Sequence, residues 1–152
     1  MIDMDARKTS GTRVIAASPA TIFAILADPR RHHEIDGSGT VNSARLSGPE
    51  RLSLDAKFGM KMTFLKVPYL ISSRVKEFEE NRRIAWAHFG GHRWRYELEE
   101  VDGGTRVTET FDWSTSIAPS LMDRAPYPKS HEGNIAKTLE RLERVALADE
   151  SS

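Results

Sequence analysis

Apolar and polar positions alternate along the middle of the chain, whereas near both ends apolar residues recur every three or four positions. The first pattern predicts strands and the second helices. The cleanest alternation covers residues 57–64, with Phe58, Met60, Met62 and Phe64 on one face and Lys57 and Lys61 on the other. Further strands are predicted over 12–17, 40–46, 69–78, 84–88, 92–99 and 105–113. Turns are supplied by Ser47-Gly48-Pro49-Glu50, by residues 79–83, and by Asp102-Gly103-Gly104, a strong hairpin signal. A first helix is predicted after Ser18, whose hydroxyl can cap it, with Pro19 at its first position and Ile22, Phe23, Ile25 and Leu26 on its apolar face. It ends at Asp28-Pro29, because proline disfavours the helical conformation of the residue before it. Residues 30–35 add one or two turns before Asp36-Gly37-Ser38-Gly39, and residues 120–124 add another. A long helix is predicted over 130–147, where Ile135, Thr138, Leu139, Leu142, Val145 and Ala146 form a stripe.

Strands grouped together, with helices at the ends, predict an α+β fold. A curved antiparallel sheet of six or seven strands, closed by one long C-terminal helix, buries its inner face by curling around that helix. Closure of that kind readily leaves a cavity. Residues 11–147 are expected to form this single domain, with 1–10 a flexible arm and 148–152 a flexible tail.

The same alternation assigns the concave face. Ile84, Trp86 and His88 point inward from one strand, His92, Trp94, Tyr96 and Leu98 from the next, and Val107, Glu109, Phe111 and Trp113 from the last. Arg93, Arg95, Glu97, Arg106 and Asp112 fall on the outer face and are expected in solvent. If Phe89-Gly90-Gly91 is a tight connection, Trp86 lies opposite Trp94 and Ile84 opposite Tyr96. If Leu98 lies opposite Val107, then Tyr96 faces Glu109 and Trp94 faces Phe111. A bulge at either Gly-Gly loop would shift these pairs. Trp86, Trp94, Phe111 and Trp113 read as a cavity wall for a flat apolar ligand, with ordinary core packing as the alternative. Met60, Met62 and Phe64 admit the same two readings.

Composition narrows the function. The 152 residues suit one domain, and 39% hydrophobic with 29% charged residues is globular. Lys+Arg and Asp+Glu are 22 each, so no global field draws the protein onto nucleic acid or an anionic membrane. Cysteine is absent, which excludes disulfides, thiolate metal sites and cysteine nucleophiles. The acidic opening Met1–Asp5 lacks the basic and apolar regions of a secretory signal, and no apolar run approaches a membrane span, so a cytoplasmic location is expected. Neither a Walker loop nor a Gly-x-Gly-x-x-Gly follows a strand, so no nucleotide cofactor is expected.

Three stretches carry a resemblance: residues 14–29, from Val14-Ile15-Ala16-Ala17-Ser18-Pro19 to Asp28-Pro29; Glu77-Phe78-Glu79-Glu80-Asn81-Arg82-Arg83-Ile84-Ala85-Trp86; and Trp94-Arg95-Tyr96-Glu97-Leu98 followed by Gly104-Thr105-Arg106-Val107-Thr108-Glu109-Thr110. Together they resemble the polyketide cyclase/dehydrase-like branch of the START-related (SRPBCC) superfamily over nearly the whole chain. The resemblance implies a helix-grip fold with a deep apolar pocket. Members similar to this pattern include lipid carriers, hormone receptors and aromatase/cyclases, and they share no catalytic signature to carry across.

Glu109 is the most informative polar residue, a carboxyl between Val107 and Phe111 on an apolar face, where it must be paired or protonated. It reads as an acid/base or ligand-orienting group, as a structural partner of Tyr96, or as a group at the open end of the sheet. Glu109, Tyr96 and His88 are the catalytic candidates. Ligand contacts are expected from Phe58, Met60, Met62, Phe64, Ile84, Trp86, His88, His92, Trp94, Tyr96, Glu109, Phe111, Trp113, His131 and Ile135. His88 and His92 with Glu109 raise a metal hypothesis, but a zinc site usually takes three or four protein ligands and cysteine is missing, so no metal is expected. His32-His33 reads as a solvated helix end and His131 as a residue near the mouth. The expected function is binding or transport of a small hydrophobic molecule of lipid, isoprenoid or polyketide-like character, by a monomer or homodimer. A polyketide cyclase/dehydrase-type enzyme and a protein–protein interaction module are the alternatives.

Overall fold

The computed structural model describes residues 1–38, 47–88, 90–124 and 127–151, without the side chains of Phe64, Tyr127 and Pro128. The elements run β1 (Ile2–Asp3), β2 (Lys8–Ile15), α1 (Pro19–Leu26), a 3-10 turn (Pro29–Arg31), α2 (His32–Ile35), β3 (Lys57–Phe64), β4 (Val67–Glu79), β5 (Arg83–Ala87), β6 (Arg93–Val101), β7 (Gly104–Asp112), α3 (Pro119–Met122) and α4 (Tyr127–Glu150). The seven described strands form one antiparallel sheet in the order β1-β2-β7-β6-β5-β4-β3. The helix α4 packs across β2 and reaches β7, α1 and α2. This is the helix-grip fold. The strand expected over 40–46 lies outside the described residues.

Local chemistry explains the boundaries. The Ser18 hydroxyl accepts from the Thr21 amide at 3.2 Å and caps α1, with Pro19 at the first turn. Asp28 caps the following turn by accepting from the Arg30 amide at 3.0 Å. β3 and β4 are joined by Leu65 and Lys66, both left-handed with φ of 50° and 65°, which matches the twist of a two-residue hairpin. The last hairpin turns at Asp102-Gly103, where Gly103 takes φ of 87°.

Both ends differ from the expectation. Residues 1–10 are not a loose arm: β1 pairs with β2, which begins at Lys8 instead of residue 12, and Thr9 is fully buried. A ladder to β7 from Lys8↔Asp112 to Ile15↔Thr105 holds this segment, supplying backbone partners that periodicity alone does not reveal. At the other end α4 continues to Glu150, and Asp149 accepts two hydrogen bonds from Arg31, at 2.5 and 3.2 Å.

The core lies between the concave face and the helices. Ile135, Leu139, Leu142 and Ala146 of α4 are buried with Ile22, Phe23, Ile25 and Leu26 of α1. Two glycines permit the closure. A Cβ on Gly11 would stand 2.7 Å from Cγ2 of Ile135, and one on Gly37 would stand 2.6 Å from the Asn134 carbonyl oxygen and the Thr138 nitrogen. The Gly37 amide instead donates to the Thr138 hydroxyl at 2.9 Å, docking the chain after α2 on α4.

The outer face also departs from the expectation that Arg93, Arg95 and Asp112 stand in solvent. A bulge between Val75 and Glu77 turns Glu77 to this face, opposite Ala85. Glu77 accepts from Arg93 at 2.8 Å and from Arg95 at 2.8 Å, and Arg95 also reaches Asp112 at 3.2 Å. The cluster covers the buried Ala85 and Ala87, and Asp112 itself is 3% exposed. Both partners of the pair Arg95–Glu77 are largely removed from water, and the arginines hold the Glu77 carboxyl down to about 2. Among the described residues, no helix is long and apolar enough to cross a membrane.

Candidate functional site

Strand register places two rows of side chains on the concave face. One row runs Gly11, Glu109, Tyr96, Ile84 across β2, β7, β6 and β5, and the next runs Thr9, Phe111, Trp94, Trp86. The pairings among β5, β6 and β7 are those that alternation predicted, so neither Gly-Gly loop shifts the register, whereas the pairs that Thr9 and Gly11 make with β7 were not expected. The Gly11 position lets Ile135 of α4 close over the first row.

At its centre, Glu109 is 3% exposed and Tyr96 4%. The Tyr96 hydroxyl donates to Oε1 of Glu109 at 3.0 Å. The other carboxyl oxygen, Oε2, is buried and has no hydrogen-bond partner among the described residues. Burial pushes the Glu109 carboxyl up to about 8; the bond from Tyr96 pulls the other way, and the negative charge of Asp36 adds to the rise. Burial also raises the Tyr96 hydroxyl well above its ordinary value, with Glu109 and Asp36 contributing. A carboxyl without a cationic partner in this setting holds its proton near neutral pH.

Aromatic rings of the neighbouring row pack beside the pair. Trp86 stacks on His32 at 4.7 Å, meets Phe58 edge-on at 5.8 Å, and lies 5.7 Å from Tyr96. Further along that row Trp94 lies 4.8 Å from Phe111 and 4.9 Å from His131, while His92 meets Phe111 at 5.3 Å. Trp86, Trp94, His88, His92, His131 and Met62 are half-buried, whereas Phe58, Met60, Ile84, Phe111 and Ile135 are buried. Of this half-buried set, His88 and His92 meet at 5.7 Å and Trp94 and His131 at 4.9 Å near the end of the sheet where β5 meets β6, whereas Met62 stands on the edge strand β3. The Phe64 side chain lies outside the described part. Trp113 is fully buried beneath Phe111, and its indole N–H donates to Asp123 at 2.7 Å, so it packs as core.

The histidines of this end are held neutral. His88 Nδ1 shares a 2.6 Å hydrogen bond with the Ser73 hydroxyl, and burial lowers its pKa to about 4, with His92 adding to the effect. His131 is lowered to about 4 by burial and by His92, and His92 is lowered by burial. His32 corrects the expectation of a solvated helix end. It is 7% exposed, its Nε2 bonds the Leu26 carbonyl oxygen at 2.8 Å, and burial lowers its pKa. Its spacing of three from Ile35 could have signalled a shared inward face. Asp36, which acts on Glu109 through its charge, had no signal beyond its place at a helix end.

A concavity of about 1040 Å³ is bounded by Ser18, Arg83, Glu97, Glu99 and Arg106 on the outer face and at the start of α1. Its walls carry the exposed ion pairs Arg83–Glu97 and Arg106–Glu99. Charged walls of this kind do not suit an apolar ligand.

Residues 6–147 match the sequence model of the family described as polyketide cyclase / dehydrase and lipid transport. The chain is 40% identical over 147 residues to the uncharacterized protein Rv0088 of Mycobacterium tuberculosis, in an alignment covering 93% of this chain and 65% of the relative. The chain thus spans about 65% of the length of the curated relatives it matches. Among solved structures, protein NE0264 from Nitrosomonas europaea superposes with a TM-score of 0.73 at 16% identity, covering 98% of this chain and 99% of that one. Protein Ms6760 from Mycobacterium smegmatis does so with a TM-score of 0.72 at 18% identity, covering 97% and 96%. At these identities the structural likeness shows the fold.

Proposed function

This chain belongs to the polyketide cyclase/dehydrase and lipid transport family of SRPBCC proteins, and on that premise we propose that it binds a small hydrophobic molecule, lipid, isoprenoid or polyketide-like, between the concave sheet and α4. The observation that carries this reading is the half-buried wall of Trp86, Trp94 and His92 around a buried carboxyl. Large aromatic faces left partly open on an inner sheet surface are what a preformed apolar site requires, together with a few convergent polar groups that orient the ligand. A cyclase/dehydrase-type activity is the second reading, favoured by the protonated Glu109 beside Tyr96 as a source of general acid. Binding is preferred because no second acid or base accompanies that pair at hydrogen-bond distance among the described residues. Native mass spectrometry of protein purified from its own host tests the proposal. The expected spectrum carries a noncovalent small-molecule adduct that disappears on denaturation, and Trp94→Ala lowers its occupancy. A folded protein that carries no adduct and binds no apolar dye refutes it.

A further inference from the structure

The unsatisfied oxygen of Glu109 carries information about the ligand. Tyr96 has one hydroxyl proton and gives it to Oε1, so the acid proton of a neutral Glu109 belongs on Oε2. That oxygen is buried on the concave face with no acceptor in reach among the described residues. A buried donor left without an acceptor is destabilising, a penalty that a ligand acceptor would remove. We propose that Oε2 of neutral Glu109 donates a hydrogen bond to a carbonyl oxygen of the ligand, so that the site takes apolar molecules bearing a ketone, quinone or ester in preference to the matching hydrocarbons. The inference rests on the binding reading above and adds the chemical class of the ligand.

Burial and the charge of Asp36 favour the neutral form, and the bond from Tyr96 alone opposes them. β6 contributes Tyr96, and the end of α2 contributes Asp36, whose charge opposes ionisation. β2 places Gly11 opposite Glu109, and α4 covers that glycine with Ile135. Of the basic residues of β2 and α4, Arg13 pairs with Glu143 at 2.8 Å, Arg141 donates to the main-chain carbonyl of Asp36, and Lys8, Lys129, Lys137 and Arg144 are exposed. His32 from α2 and His131 from α4 are kept neutral by burial. A carboxyl that ionises becomes an acceptor only and would repel a carbonyl oxygen, so the preference must vanish at alkaline pH.

Isothermal titration calorimetry with 2-acetylnaphthalene and 2-ethylnaphthalene, at about pH 6 and about pH 9.5, tests this on the full chain and on Glu109→Gln and Glu109→Leu. In the parent the ketone should bind on the order of tenfold more tightly than the hydrocarbon at the lower pH, with the advantage lost at the higher. Glu109→Gln keeps an N–H donor and cannot ionise, so its preference should persist at both pH values. Glu109→Leu should show none. Equal affinities in the parent at about pH 6, or a ketone preference that survives in Glu109→Leu, would overturn the inference while the binding reading stands. If Glu109→Leu does not fold, a preference in Glu109→Gln that still falls with pH overturns it as well. A folded parent that binds neither probe removes the binding reading itself, and the inference with it.

Discussion

Replacing Glu109 with glutamine keeps the shape of a buried side chain and removes its titration, which turns the environment of one carboxyl into a measurable slope. In the folded protein the carboxyl sits at about 8, against an ordinary value of 4.5 in the unfolded chain. Because the folded value is the higher, the folded state holds the proton more tightly. Its contribution is fully present below about pH 4.5 and is lost as pH rises through about 8. At about 1.4 kcal/mol per pH unit, the gap between those two values is worth on the order of 5 kcal/mol. The variant should therefore match the parent within about 1 kcal/mol near pH 4, where the parent is protonated in both states and only the Tyr96 bond changes chemistry. Near pH 9 it should be more stable than the parent by several kcal/mol, approaching the full gap. Urea melts across this range, at constant m value, supply the difference directly. The buried histidines and Glu77 titrate in both proteins alike, so they cancel in the comparison. A difference between variant and parent that stays constant from acid to alkali would show that Glu109 is solvated, and the account of the site's centre would fail.

Three further outcomes follow from the packing. Leu139→Ala should cost about 2–5 kcal/mol in denaturant melts, since the side chain is 2% exposed where α4 meets the sheet; a loss under about 0.5 kcal/mol would mean the helix is loosely held. Gly37→Ala should lower stability by more than about 1 kcal/mol, because the added carbon meets backbone atoms of α4 at 2.6 Å and cannot be relieved by rotating a side chain; an unchanged thermal midpoint would refute that contact. Glu77→Gln should destabilise by about 1–3 kcal/mol at neutral pH, leaving Arg95 with Asp112 as its one remaining carboxylate among the described residues. Glu77 is depressed from 4.5 to about 2, so its contribution is present above about pH 4.5 and is lost as pH falls through about 2. The penalty of Glu77→Gln should shrink over that acid range, and a penalty independent of pH would place its origin in packing.

Sequence by itself determined the strand faces, the helix stripe and the pairings among β5, β6 and β7 on the concave face. Each follows from a local period, and the two-residue repeat of a strand leaves a given side chain one of two faces. That is why the opposition of Tyr96 and Glu109, and of Trp86, Trp94 and Phe111, was legible before any coordinates. Tertiary structure alone decided what has no local period. The ladder to β7 draws Lys8–Ile15 into the sheet, and the fold brings His32 onto Trp86 although the two lie far apart in sequence. A single bulge carries Glu77 to the outer face, where it gathers Arg93 and Arg95 that alternation had assigned to solvent. The charge state of Glu109 belongs to the same class. Alternation showed that a carboxyl faces inward, but the depth of its burial, the single bond from Tyr96 and the nearby charge of Asp36 arise only when β6, β7 and α2 converge, because desolvation and Coulomb energy depend on distance in space.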